Sequence, residues 1–166
     1  MTTGVYDVAI LSDLRYPGGT SASIVAEVRA QAAAGLSTVL MHVPSPHLKR
    51  PRPFQAGIAE CLRERLADLA DDGAPVSARL LVVRQPRIFT KDLPAAPPVQ
   101  ADRTVMVVNQ PPGDADEPER YYRFADVRAR VERYFGPDLE WAPISTPVRE
   151  QIRRIAPDQP LADDWH

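Results

Sequence analysis

A chain of 166 residues, 44% apolar and 25% charged, is sized for one domain that buries its own core without a metal or a disulfide. A net charge of -2 excludes the strong basic field of a nucleic-acid or anionic-membrane binder, and a single cysteine, Cys61, excludes an internal disulfide. No apolar run approaches the ~20 residues of a membrane span, and the N-terminus lacks the basic region of a signal peptide, so a cytoplasmic protein with no transmembrane segment is expected.

Apolar runs alternate with amphipathic stretches along the chain. Residues 7–12 (DVAILS) form the first expected strand, followed by the turn-rich RYPGGTSAS. Ile24, Val28 and Ala32 then recur at helical spacing over residues 22–34, with Gly35 as the stop. Residues 37–43 (STVLMHV) form a second strand. After a proline-rich loop at 44–53, Phe54, Ile58, Leu62, Leu66 and Leu69 predict one long helix ending at Gly73, with Cys61 on its core side.

Residues 79–84 (RLLVVR) and 104–109 (TVMVVN) are continuously apolar, as strands covered on both faces are. The proline-rich stretch 86–98 between them shows no convincing helix. Phe124, Val127, Val131 and Tyr134 mark a helix over 121–135 closed by Gly136, and residues 139–144 (LEWAPI) a fifth strand. Thr146 then serves as N-cap and Pro147 as first residue of a last helix carrying Val148, Ile152 and Ile155. The tail IAPDQPLADDWH is polar, with no element to pack it.

This order predicts an α/β fold: a Rossmann-like three-layer sandwich with a mainly parallel sheet of five or more strands and helices on both faces. The leading strand order is 3-2-1-4-5. Residues 1–160 make the single domain, and 161–166 a tail or the start of an interdomain linker.

In such a sheet ligands bind beyond the carboxyl ends of the strands. That rim collects Asp13, Arg15 and Tyr16 through Ser21 after the first strand; His42, Ser45 and His47 after the second; and Arg84 and Gln85 after the third. Asn109 and Gln110 follow the fourth strand, and Ser145 and Thr146 the fifth. The opposite rim is expected to be nearly bare of polar groups. Gly18, Gly19, Thr20 and Ser21 open the first helix. Either they cradle an anion such as a diphosphate on glycine backbone and helix amides, or the glycines merely make a tight turn. His42 and Asp13 are candidates for catalysis; His42 either acts as a general base, binds an acceptor hydroxyl, or is a hydrogen-bonded strand-end histidine. Arg84 either meets an anion or pairs with a loop carboxylate. Tyr121 and Tyr122 either stack on a sugar or pack at a helix start.

Several chemistries lack their residues. The glycines are adjacent, not G-x-G-x-x-G, and the second strand ends without an acid, so a dinucleotide site is not indicated. There is no G-x-x-x-x-G-K-[ST] motif, no G-x-S-x-G elbow and no metal-ligand spacing. A phosphoacceptor receiver domain would need an acidic pair where Asp13 stands alone, and a lysine beyond Lys91.

The run VAILSDLRYPGGTSASIVAEVRAQAAAGLSTVLMHV resembles the opening of GT-B glycosyltransferases of the GT4-like kind. RLLVVRQPRIFT, DRTVMVVNQPP, the helix ending RYFG, WAPISTPVREQI and PLADDW follow in that family's order. The resemblance implies the N-terminal, acceptor-side domain of an enzyme that transfers sugar from a nucleotide-sugar donor to a small-molecule or glycan acceptor hydroxyl. Gly18 and Gly19 would match the loop near the donor phosphates. The family's C-terminal domain, which holds most of the donor and carries the paired-glutamate signature, would be the partner within the parent chain. No tightly bound cofactor, no metal and no nucleic acid are implied. Millimolar affinity requires about 4 kcal/mol, and an exposed helix N-terminus supplies only ~1 kcal/mol, so this half is expected to be inactive alone. The alternative is a stand-alone, non-catalytic Rossmann- or flavodoxin-like binding module.

Overall fold

The computed structural model describes residues 5–165. Six strands form one wholly parallel sheet: β1 (Tyr6–Ser12), β2 (Thr38–His42), β3 (Asp68–Leu69), β4 (Val76–Arg84), β5 (Val99–Val108) and β6 (Glu140–Pro143). The helices are α1 (Gly19–Ala33), α2 (Ala56–Arg63), α3 (Phe124–Phe135) and α4 (Thr146–Ile155), with a 3-10 helix at Pro86–Thr90.

The apolar runs within β1, β2, β4 and β5 follow from burial on both faces. β4 and β5 begin at Val76 and Val99, before the expected starts at 79 and 104, and these first halves carry exposed polar residues that leave no continuous apolar run. Successive residues enter two different cores. Val8, Ile10, Leu40, Val82, Val105 and Val107 pack with Ile24 and Val28 of α1 and Ile58 and Cys61 of α2. Ala9, Leu11, Met41, Val83, Met106 and Val108 pack with Phe124, Val127 and Val131 of α3, Ile152 of α4 and Phe89 of the 3-10 helix. Each fully buried aliphatic side chain contributes roughly 1.5–3 kcal/mol. The three-layer α/β sandwich expected from the alternation is the observed fold.

The strand order is β3-β2-β1-β4-β5-β6. The expected 3-2-1-4-5 arrangement is therefore corrected in one respect. The strand at 79–84 lies beside β1, and the place beside β2 belongs to Asp68–Leu69, a two-residue strand with no apolar run to mark it.

The long second helix is also corrected. It stops at Arg63, because Arg65 turns left-handed (φ 59°) and the chain closes a Schellman motif. Leu66 N–H donates to the Cys61 carbonyl at 2.9 Å and Arg65 N–H to that of Leu62 at 3.1 Å. Leu66 then turns onto the α1/α2 core, while Leu69 sits in β3, exposed.

Among the helices, three smaller boundaries move. The first helix begins at Gly19, three residues early, and the third at Phe124, three residues late. Ser145 occupies the N-cap of α4 with no side-chain cap bond, and Thr146 is the first helical residue. The stretch 86–98, expected to be a loop, opens with the 3-10 helix, whose first turn tolerates Pro86 because that N–H needs no partner.

The tail is not loose. Ala162 N–H donates to the Trp141 carbonyl and Trp165 N–H to that of Pro143, each at 2.8 Å, so residues 162–165 run along the outer edge of β6. Leu161 and Trp165 pack onto the two cores, and Arg149 holds Asp164 at 2.6 Å. Among the described residues no helix is long and apolar enough to cross a membrane, and no group of three metal-ligating side chains forms.

Candidate functional site

The carboxyl rim of the sheet concentrates buried polar groups: Ser12, Asp13, Ser21, Ser45, Arg84 and Gln85 are all less than a tenth exposed. The opposite rim is not bare, contrary to expectation. Tyr6 bonds Asp68, Asp7 bonds Ser37 and Arg103 pairs with Glu140, but these pairs are solvent-exposed. The two rims differ in burial, not in polarity.

Asp13 is fully buried and saturated. Its Oδ1 accepts from Arg15 N–H at 3.1 Å and Arg15 Nε at 2.8 Å, and its Oδ2 from Arg15 at 2.6 Å and Ser45 N–H at 2.7 Å. Burial pushes its carboxyl pKa up, yet the Arg15 guanidinium and the two amides outweigh burial and hold it below the usual range. The carboxylate locks the β1 loop to the β2 loop and has little capacity left for a substrate.

His42 sits half-buried at the end of β2, its ring 5.1 Å from that of Phe54. Leu14 N–H donates to its Nδ1 at 3.2 Å, which places the neutral ring's proton on Nε2. Burial lowers its pKa, against the opposing charge of Asp13. In this tautomer His42 offers a donor, and removing a substrate proton would first require that Leu14 bond to be given up.

The first-helix loop keeps its amides free. Gly18 takes φ 96° and ψ -155°, a region only glycine occupies, and directs the chain into α1. No side chain caps α1 and no acidic residue lies in its first turn, so its positive end is uncompensated from within. A Cβ at Gly19 would meet nothing within 4 Å, so the helix start is open to solvent. Ser21 serves the loop, its hydroxyl donating to the Tyr16 carbonyl at 2.5 Å. Thr20 faces across to β5, where its Oγ1 accepts from Asn109 Nδ2, also at 2.5 Å.

Thr20 and Asn109 lie on a cleft of about 90 Å³, completed by Tyr16, Ser45, Gln85, Pro86, Arg87 and Gln110. Among the described residues, the buried atoms Asn109 Oδ1 and Arg87 Nε have no hydrogen-bond partner. Flipping the Asn109 amide would only move the deficit to its nitrogen. Gln85, at the exit of β4, is held left-handed at φ 63°, and its Oε1 accepts from Asp13 N–H at 3.1 Å. A non-glycine residue in that conformation costs of order 1 kcal/mol, and such strain concentrates at functional sites.

The remaining candidates lie apart from the cleft's lining. Arg84 is turned inward: its guanidinium pairs with Glu27 of α1 and donates to Ser23 Oγ at 3.2 Å. The partner is a carboxylate, as one reading had it, but on helix α1 and not on a loop. Ser145 and Thr146 flank the start of α4, outside the cleft. Tyr122 is buried with its hydroxyl on the Gln110 carbonyl at 2.7 Å, so it packs, and Tyr121 is exposed. Arg87 was not singled out by the sequence; its only signal is its place just after Gln85-Pro86 at a strand exit. The chain matches no protein-family model, no curated protein and no solved structure.

Proposed function

We propose that this chain is the acceptor-side domain of a nucleotide-sugar-dependent glycosyltransferase, working with a second α/β domain of the same polypeptide. The observation that carries the reading is the uncapped start of α1. Gly18 and Gly19 leave its first amides bare beside a polar cleft at the carboxyl rim, where a diphosphate fits both charge and backbone. The cleft's size supports a shared site. About 90 Å³ falls well short of the ~300–1,000 Å³ of pockets that enclose a ligand, so a nucleotide sugar needs a second wall. In this reading the domain's residues bind and orient: α1 faces the donor phosphates, and Asn109, Gln110 and Gln85 offer hydrogen bonds to sugar or acceptor hydroxyls.

One observation favours a non-catalytic binding module instead. Asp13 is saturated and His42 holds its proton on Nε2, so the two catalytic candidates present no ready base. One experiment decides. The coding sequence is read beyond the His166 codon, the whole polypeptide is expressed, and nucleoside diphosphate release is followed across a panel of nucleotide sugars. Release by the whole polypeptide, reduced at least about tenfold by Gly19→Val and absent from residues 1–166 alone, is the expected result. Release by the isolated chain, or none by a folded whole polypeptide, overturns the reading.

A further inference from the structure

The loop from β2 to α2 is clasped to the 3-10 helix. His47 Nε2 lies 2.8 Å from Thr90 Oγ1, whose own hydroxyl donates to the Arg87 carbonyl at 3.0 Å. At the inner end of the clasp Ser45 Oγ accepts from Tyr16 OH at 3.2 Å and from His47 N–H at 3.3 Å. Five cations ride on this short stretch of surface: Lys49, Arg50 and Arg52 on the loop, Arg87 in the 3-10 helix and Lys91 just after it.

None of the five forms an ion pair with a carboxylate among the described residues, whereas Arg84, Arg103, Arg120, Arg130 and Arg133 all do. The nearest acids along the chain are already committed. Asp92 is held by Arg130 and Arg133 on α3, and Glu60 by Arg29 on α1. Arg87 lines the cleft, and its buried Nε has no hydrogen-bond partner among the described residues. His47 registers the crowding: burial, then the charges of Arg87, Lys91 and Lys49, hold its imidazole below the usual range.

A local surplus of positive charge on a chain of net charge -2 is a focused site, not a general polyanion surface. A planar guanidinium inside with compact ammonium groups outside suits a phosphate dianion, which accepts several charge-assisted bonds at once. We propose that this clasp binds the phosphate group of a phosphorylated small-molecule acceptor, with Arg87 contacting the phosphate and Lys49 and Lys91 supplying the surrounding charge. The ligand's role as acceptor rests on the transferase reading above; the phosphate site does not.

The test is a titration of the ¹⁵N-labelled chain with inorganic phosphate, then with glycerol 1-phosphate, read in amide spectra, beside a sedimentation assay with phosphatidylglycerol vesicles. Saturable shifts at residues 45–49 and 87–91 are expected with both soluble probes. Arg87→Gln should weaken binding about tenfold, the worth of one charge-assisted bond. Lys49→Gln with Lys91→Gln should do the same. Both lysines are exposed, so that double variant tests the charge without touching the core.

Shifts confined to the start of α1, or insensitive to the lysine pair, overturn the proposal. Vesicle binding without shifts from either soluble probe also overturns it, in favour of a membrane surface. A whole polypeptide that releases no nucleoside diphosphate would remove the transferase reading and leave these shifts as they are.

Discussion

The buried pair of Arg84 and Glu27 offers the most direct test of how the rim is held. Arg84 ends β4 with its side chain 1% exposed, and Glu27 on α1 is 16% exposed. Glu27 also accepts from Gln31 at 3.0 Å, and Gln31 accepts from Thr38 on β2 at 2.7 Å. One network thus joins β4, α1 and β2 below the helix start that faces the cleft. Glu27→Ala would leave a guanidinium whose only remaining bond is a neutral one to Ser23, with Nε already unsatisfied. Stranding a buried charge costs roughly 3–5 kcal/mol, and the partial exposure of Glu27, which admits water, favours the lower end. At ~2–4 °C per kcal/mol for a domain of this size, the expected fall in Tm is about 10 °C. Replacing both groups, Glu27→Ala with Arg84→Met, removes the charge and refills the space, so most of the loss should return. Denaturant and thermal unfolding of the three variants give the cycle. A loss below ~1 kcal/mol for Glu27→Ala, or a double variant no better than the sum of the singles, refutes the claim that this pair braces α1.

The other expectations use the same unfolding assays. Gly18→Ala should cost ~1–3 kcal/mol from backbone strain alone, since its new Cβ meets nothing, while Gly19→Ala should be neutral or slightly stabilising; equal effects would contradict the assigned loop geometry. Arg65→Gly should gain ~0.5–1 kcal/mol by relieving the left-handed position that ends α2, and a loss there would mean that the Arg65 side chain contributes more than its strain costs. His42 has a folded-state pKa below its unfolded value, so its neutral form's contribution is complete above about pH 6.5 and declines as the pH falls below it. The urea midpoint should therefore fall between pH 7 and 5 in the natural chain and fall less in His42→Gln; parallel curves would exclude His42 as the cause. Deleting residues 161–166 should lower Tm by several degrees, because β6 loses two edge hydrogen bonds and the Arg149–Asp164 pair.

What the sequence conveyed depends on where the information resides. The four long strands were legible because burial on both faces writes itself as an uninterrupted apolar run, and the α1, α3 and α4 stripes because each helix shows one face to a core. The end of α2 was not, because its left-handed residue is Arg65 rather than the glycine that usually marks such a stop. β3 is two residues of backbone pairing, and the tail docks mainly through the amides of Ala162 and Trp165; neither leaves a side-chain period. At the rim, Gly18 and Gly19 announced their loop by type. The partners of Arg84 and His42 come from sequence-distant elements, so no spacing could show that Arg84 is consumed by Glu27. Arg15 stands only two residues from Asp13, but that spacing alone does not say that the two close on each other, and the Ser45 amide that completes the carboxylate comes from the β2 loop.

That consumption bears on how the rim would act. Groups already saturated within the chain hold loops in place, and groups left short are the ones with free energy to gain from a ligand. Among the described residues the orphaned buried atoms are Ser12 Oγ, Arg84 Nε, Arg87 Nε and Asn109 Oδ1, and all four lie at the carboxyl ends of β1, β4 and β5 or just beyond. Two of them, on Arg87 and Asn109, line the same cleft as Thr20 at the uncapped start of α1. These unmet donors and acceptors gather beside a bare helix terminus and a cationic loop that forms no ion pair among the described residues. The distribution fits an anion entering from the open side. Under the proposed reading, Asp13, Arg84 and His42 set the geometry while Arg87, Asn109 and the α1 amides meet the ligand. Variants of the first group should lower stability and binding together, and variants of the second should lower binding with stability unchanged; a stability loss for Asn109→Ala as large as that of Glu27→Ala would dissolve the distinction.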